Sequence, residues 1–152
     1  MTRLRAAALL MSILGSSAHG ATTIDVARSC SDGVRSEDRL LVRTVESMVR
    51  ATGADVCIAK STRVSLGVDS LRVRGNENAG SIALSLTPES SVRWSEFQNS
   101  LVGKEMLLLS NGRSVLYFRV FTPQSDGRLT LFAANKAEAQ EIARLIEPGW
   151  RQ

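Results

Sequence analysis

The chain has 152 residues, with 19 lysines and arginines against 15 aspartates and glutamates, two cysteines and a single histidine, His19. That length allows one domain with a core of its own. Two cysteines are too few for a four-thiolate metal site, and one histidine close to the N-terminus leaves little for histidine-based catalysis, zinc binding or pH switching.

Residues 1–20 have the three-part layout of a secretory leader. Arg3 and Arg5 supply the positive region. Ala6 to Leu14 is an apolar run broken only by Ser12, and Ala18 and Gly20 place small residues for a cut before Ala21. The run is too short to cross a bilayer, which takes about 20 residues, and no later stretch reaches that length without charges. An amphipathic first helix is the alternative. Residues 1–20 are therefore expected to be a signal peptide and residues 21–152 a single exported domain, periplasmic or secreted, with no membrane span after cleavage. Cleavage would remove His19 and both leader arginines, leaving 17 basic against 15 acidic residues. The whole-chain pI of 9.7 then overstates the basicity, and no nucleic-acid partner is expected.

In an exported domain Cys30 and Cys57 are expected to pair. Closing a loop of that span stabilises a fold by roughly 3–4 kcal/mol in the chain-entropy account. Two buried free thiols or a reactive pair are the rivals, and no Cys-x-x-Cys spacing supports redox chemistry.

Ser36 to Thr52 reads as the first helix. Ser36 caps it, Glu37 and Asp38 complement the dipole, and Gly53 suits the C-terminal stop. Leu41, Val45 and Met48 recur at helical spacing. Arg39, Arg43 and Arg50 fall on the opposite side, a row suited to an acidic partner or to plain solvation with Glu46 in its midst. Asp55 to Lys60 and Thr62 to Arg74 read as strands, and a one-residue slip in the alternation of the second places a bulge or turn near Asp69. A glycine- and asparagine-rich loop follows, from Gly75 to Gly80. Ser81 to Leu86 alternates, with Ile82, Leu84 and Leu86 on one face.

Thr87-Pro88-Glu89 is a strong helix start. Trp94, Phe97 and Leu101 form the apolar stripe, read as core rather than ligand pocket, and Gly103 ends the segment. Glu105 to Leu109 is a strand whose unbroken apolar run predicts burial on both faces. Asn111-Gly112 signals a hairpin, and Ser114 to Phe121 returns from it. Tyr117 and Phe121 are expected on one face of that strand, with Leu116 and Phe118 on the other. Thr122 to Gly127 makes a turn, and Arg128 to Phe132 is the last strand. Asn135 and Glu138 have capping-box spacing and open a final helix to about Glu147, with Ala139, Ile142, Ala143 and Ile146 inward and Pro148-Gly149 as the stop. The order predicts an α+β domain: a mainly antiparallel sheet with three helices, built on a strand-helix-strand-strand-strand-helix core.

No chemistry emerges from the motifs. Gly75 and Gly80 do not form a phosphate-binding glycine loop. Ser90 and Ser91 have no histidine to activate them, and Lys60 and Lys104 stand in no serine–lysine arrangement. Asp25, Asp32, Asp55 and Asp69 are scattered singly. Glu138 and Glu141, three apart on one helix, read as a solvated face. A carboxylate-only hydrolase ranks last among the readings, because spacing does not show which acids meet in space. No metal, cofactor or catalytic residue is expected.

From Ser81 to Gly149 the chain resembles the head of the first periplasmic domain of SecD, the membrane subunit that assists protein export. The resemblance rests on Leu86-Thr87-Pro88-Glu89, Val102-Gly103-Lys104, the apolar strand Met106 to Leu109, the Asn111-Gly112 turn and the Ala137 to Ala143 helix, in family spacing without a gap. The family usually has threonine near Gln98 and asparagine at the position of Leu101. The small-proline stretch after the family's hairpin is replaced by Leu116 to Val120, and the membrane part is missing. The resemblance implies a fold and a habit of contacting polypeptides. The resulting expectation is a non-enzymatic exported module that binds a protein or peptide through a sheet edge or loop ends, with Tyr117, Phe121, Arg39 and Arg43 as candidate contacts. A secreted inhibitor or immunity-type protein is the alternative, and it needs a protruding loop such as 75–80 or 122–127.

Overall fold

A computed structural model describes residues 22–30, 33–44, 55–124 and 126–152. The leader, the segment holding Val45, Met48 and Arg50, and Ser125 lie outside them. Among the described residues are eight strands, β1 (Thr22–Arg28), β2 (Arg39–Arg43), β3 (Asp55–Ala59), β4 (Val64–Gly75), β5 (Gly80–Leu86), β6 (Glu105–Ser110), β7 (Arg113–Arg119) and β8 (Arg128–Ala133). There are two α-helices, α1 (Pro88–Gln98) and α2 (Lys136–Ile146), where three were expected. Six strands make one antiparallel sheet in the order β7-β6-β1-β4-β5-β8, and β2 pairs with β3 separately. The strand-helix-strand-strand-strand-helix core runs from β5 to α2.

The helix expected from Ser36 is absent from its described residues. Ser36–Asp38 make a single 3-10 turn, and Arg39–Arg43 are extended. Leu40 and Val42 turn inward, whereas Leu41 is 65% exposed, so it lines no buried stripe. Pairing with β3 decides this conformation, because tertiary contacts override a modest helix propensity. Asp38 complements no dipole. Its carboxylate accepts from the Ser61 N–H at 2.7 Å and from the Ser61 hydroxyl at 2.6 Å, which ties the turn to the end of β3.

β1 was not foreseen, yet it lies in the middle of the sheet between β6 and β4. The expected bulge in β4 is present as a register shift between Val68 and Ser70. Asn111 and Gly112 adopt φ values of 51° and 75° between β6 and β7, the left-handed pair that a two-residue hairpin turn requires.

Each helix is anchored at its start. Thr87 accepts from the Ser90 N–H at 3.3 Å and its own N–H donates to the Gly67 carbonyl at 2.9 Å. The buried Ser90 hydroxyl in turn accepts the Gly67 N–H at 2.8 Å, which seats α1 on β4. Asn135 caps α2 by accepting the Glu138 N–H at 2.9 Å. The Glu138 carboxylate reaches back to the Ala134 N–H, one residue before the usual capping-box target, and the side chain is only 5% exposed. It is therefore a buried cap rather than part of a solvated face. The Gly75–Gly80 loop also serves α2: the Asn76 carbonyl accepts the Lys136 N–H at 2.8 Å. A Cβ at Gly80 would lie 2.1 Å from the Asn135 carbonyl oxygen, so only glycine fits that approach.

Both helices cover one face of the sheet. There Ile82, Leu84, Leu66, Met106 and Leu108 pack with Trp94, Ile142 and Ile146. On the opposite face, Leu107, Leu109 and Ala27 pack under Val42 and Ile58 of the β2–β3 pair. This two-sided cover explains the unbroken apolar run of β6. Removing Leu107 and Leu109 from water contributes about 1.5–3 kcal/mol each. The second face of β4, β5 and β8 has no such cover among the described residues.

Candidate functional site

The two ends of the sheet differ in how they are closed. β7 is bridged at its start by Thr44 to Ser114 and just beyond its end by Val102 to Val120. β8 pairs with β5 on one side, and among the described residues nothing pairs with its other side. The direction of its backbone groups follows from one bond. The Leu86 N–H donates to the Gly127 carbonyl at 3.0 Å, and bonded pairs alternate along an antiparallel ladder. Leu129, Leu131 and Ala133 thus point their backbone groups at β5, while Arg128, Thr130 and Phe132 point theirs outward. The Arg128 N–H is met by the Asp126 carboxylate at 3.2 Å, which leaves the Thr130 and Phe132 amides open.

Beside this edge lies a cleft of about 450 Å³, lined by residues 117–122 at the end of β7, residues 129–132 of β8, Trp94 and Gln98 of α1, and Gln124. Its floor is apolar and firm. Trp94 is buried, with its ring 6.4 Å from that of Phe97. Its rim carries two uncovered aromatics, Phe121 at 78% and Phe132 at 73% exposure. Gln98 fixes one wall: its buried amide donates to the Gln124 carbonyl and accepts the Gln124 N–H at 2.9 Å. The sequence marks Gln98 only as lying near a threonine of the family pattern. Its signal in the sequence was its place four residues after Trp94, on the inward side of the same helix.

The structure brings two of the four candidate contacts together. Tyr117 and Phe121 both line the cleft. Tyr117 is half-buried against the Leu107–Leu109 cluster, and Phe118 faces the helix-side core, as alternation required. The face that Tyr117 occupies is covered by the β2–β3 pair. Burial, and then the nearby Glu105 carboxylate, raises the Tyr117 phenol above its ordinary range. Arg39 and Arg43 are exposed on β2 and do not line the cleft; the Arg39 guanidinium donates to the Val34 carbonyl at 3.2 Å. Cys30 and Cys57 are bonded, with Cα atoms 5.3 Å apart, and fasten the end of β1 to β3.

This architecture is an α+β sheet module in which, among the described residues, the outer side of β8 is unpaired. No protein family's sequence profile matches the chain, and no curated protein matches it. Solved structures do share its fold. One is a chain of SecDF, described as a membrane component that enhances protein export: TM-score 0.52, 15% identity, over 85% of this chain and 63% of that one. Another is SecDF in its super-membrane-facing form, with the same score and identity over 84% of this chain and 19% of that one. The chain thus spans less than two thirds of either. The likeness is one of fold, and it reaches well beyond residues 81–149, where the sequence resemblance was found. No helix among the described residues is long and apolar enough to cross a membrane.

Proposed function

We propose that this chain is a non-enzymatic, extracytoplasmic module that binds polypeptide by adding an extended segment as a strand to β8. The observation that carries this reading is the open β8 edge beside an aromatic-rimmed cleft. Strand addition takes its affinity from main-chain hydrogen bonds and its selectivity from pockets for alternate side chains. The Thr130 and Phe132 amides offer the first, and the cleft beneath Phe121 and Phe132 offers the second. The leader and the Cys30–Cys57 bond favour an oxidising compartment. The SecDF-like fold favours a part in protein export or envelope assembly. The buried polar groups nearest to catalytic types are already engaged with backbone amides, Ser90 with Gly67 and Glu138 with Ala134. The inhibitor reading is less favoured, because each loop it would use has a backbone group already engaged, Asn76 with the start of α2 and Gln124 with Gln98.

The test uses a lysine-flanked peptide of about ten residues alternating valine and threonine, an extended probe of positive charge. Thr130→Pro removes one outward amide and no bond to β5, a substitution that edge strands tolerate. Binding should weaken about tenfold with an unchanged melting temperature, as expected when a main-chain pairing site is lost. Equal binding by wild type and Thr130→Pro would contradict strand addition at β8.

A further inference from the structure

The uncovered face of β4, β5 and β8 carries a second feature, separate from the edge. Ile82 and Leu84 are buried under the helices, so their neighbours Ser81, Ala83 and Ser85 face the other way. Register sets Arg74 beside Ser81 and Arg72 beside Ala83 on β4, with Arg128 beside Ser85 on β8. The result is a trough of about 670 Å³ with a floor of small side chains and arginines along its walls. Among the described residues its lining holds one acid, Asp126, which already meets Arg128 at 3.8 Å. Arg72 and Arg74 have no hydrogen-bond or ion-pair partner among the described residues.

We infer that this trough binds an extended acidic polypeptide segment with carboxylates at alternate positions. Three observations lead to that occupant. The charge is complementary and uncompensated at Arg72 and Arg74. These two arginines are neighbours two apart on a strand, so their Cα atoms stand about 6.7 Å apart, the same repeat as alternate side chains of an extended chain. The floor between Ala83 and Ser85 is made of small side chains, with the exposed Phe132 beside Ser81 at its far end, and Ser81 and Ser85 offer hydroxyls to the segment's backbone. The occupant is another protein and not a second copy of this chain, because no two acidic residues here stand two apart. The inference does not depend on strand addition at β8, since it uses side chains of the sheet face and not the edge backbone.

The experiment compares two labelled peptides of identical composition, one alternating glutamate and threonine and one with the glutamates contiguous, against wild type and Arg72→Gln/Arg74→Gln. The alternating peptide should bind about tenfold more tightly than the block isomer, the double variant should bring it down to the block level, and added salt should weaken it as screening demands. The melting temperature of the double variant and its binding of the lysine-flanked valine–threonine probe should both be unchanged, which separates failure here from failure of the edge reading. Equal binding of the two isomers would mean unspecific charge attraction and overturn the inference. So would phosphatidylglycerol vesicles binding through Arg72 and Arg74 while the alternating peptide does not.

Discussion

The second face of the sheet has two halves that the chain treats in opposite ways. Over β6 and β1 it is apolar and covered: Leu107, Leu109 and Ala27 pack under Val42 and Ile58, and the disulfide fastens the cover. Over β4, β5 and β8 it is built mainly from serine, alanine, threonine and arginine, with Phe132 exposed beside Ser81, and the described residues lay nothing across it. The first face, under α1 and α2, is apolar in both halves. The difference therefore lies in one face alone. The second face is thus buried in one half and, among the described residues, left open in the other, beside the unpaired edge of β8.

This contrast can be broken by substitution. The largest effect should come from Leu107→Ala, which empties a fully buried position in the covered half and should cost up to about 5 kcal/mol in chemical denaturation. A cost below about 1 kcal/mol would show that the cover is loose. Next, Cys30→Ser/Cys57→Ser should lose roughly 3–4 kcal/mol, with the β2–β3 pair becoming the region of fastest amide exchange. In the uncovered half, Ser85→Val should shift stability by no more than about 0.5 kcal/mol; a Leu107-sized loss would mean that this half too is packed.

The smallest effects are titrations. Burial raises the Tyr117 phenol, and the Glu105 charge adds to it. The folded state therefore holds that proton longer than the unfolded chain does, and stability should fall as pH rises above about 10. Tyr117→Phe should flatten that slope. Asp38 is shifted the other way: the Ser61 hydroxyl and then the Ser61 amide lower it. Its small stabilising effect is present above the ordinary aspartate range near pH 4 and fades as pH falls through its own lower value, and Ser61→Ala should weaken that dependence, leaving the part that the Ser61 amide supplies.

Much of the covered architecture was legible because local signals agreed with the tertiary outcome. Thr87-Pro88, Asn111-Gly112 and Asn135 specify conformations through their own backbone and side-chain chemistry, and the run Met106 to Leu109 announced a strand buried on both sides. Residues 39–43 were misread because five residues with Leu40 and Val42 turned inward fit a period of two, while Leu41, Val45 and Met48 fit a helical one. Only the partner strand decides between them. β1 was missed for a related reason: Thr22–Arg28 carries no turn or cap signal, and its place in the sheet is set by long-range pairing with β4 and β6. The site was partly legible. Tyr117 and Phe121 were singled out as aromatics on one strand, but the cleft also depends on β8 standing opposite, which no local pattern reveals. The arginines that matter on the sheet face, Arg72 and Arg74, looked like ordinary outward positions of an alternating strand.

Amide hydrogen exchange across β8, with and without the lysine-flanked valine–threonine peptide, tests the central claim most directly. Leu129 and Leu131 already donate toward β5 and should be slow in both states. The outward amides of Thr130 and Phe132 should exchange fast in the free protein and slow markedly when the peptide is bound, because each then donates to the added strand. Unchanged exchange at Thr130 and Phe132 in a peptide-saturated sample would contradict strand addition.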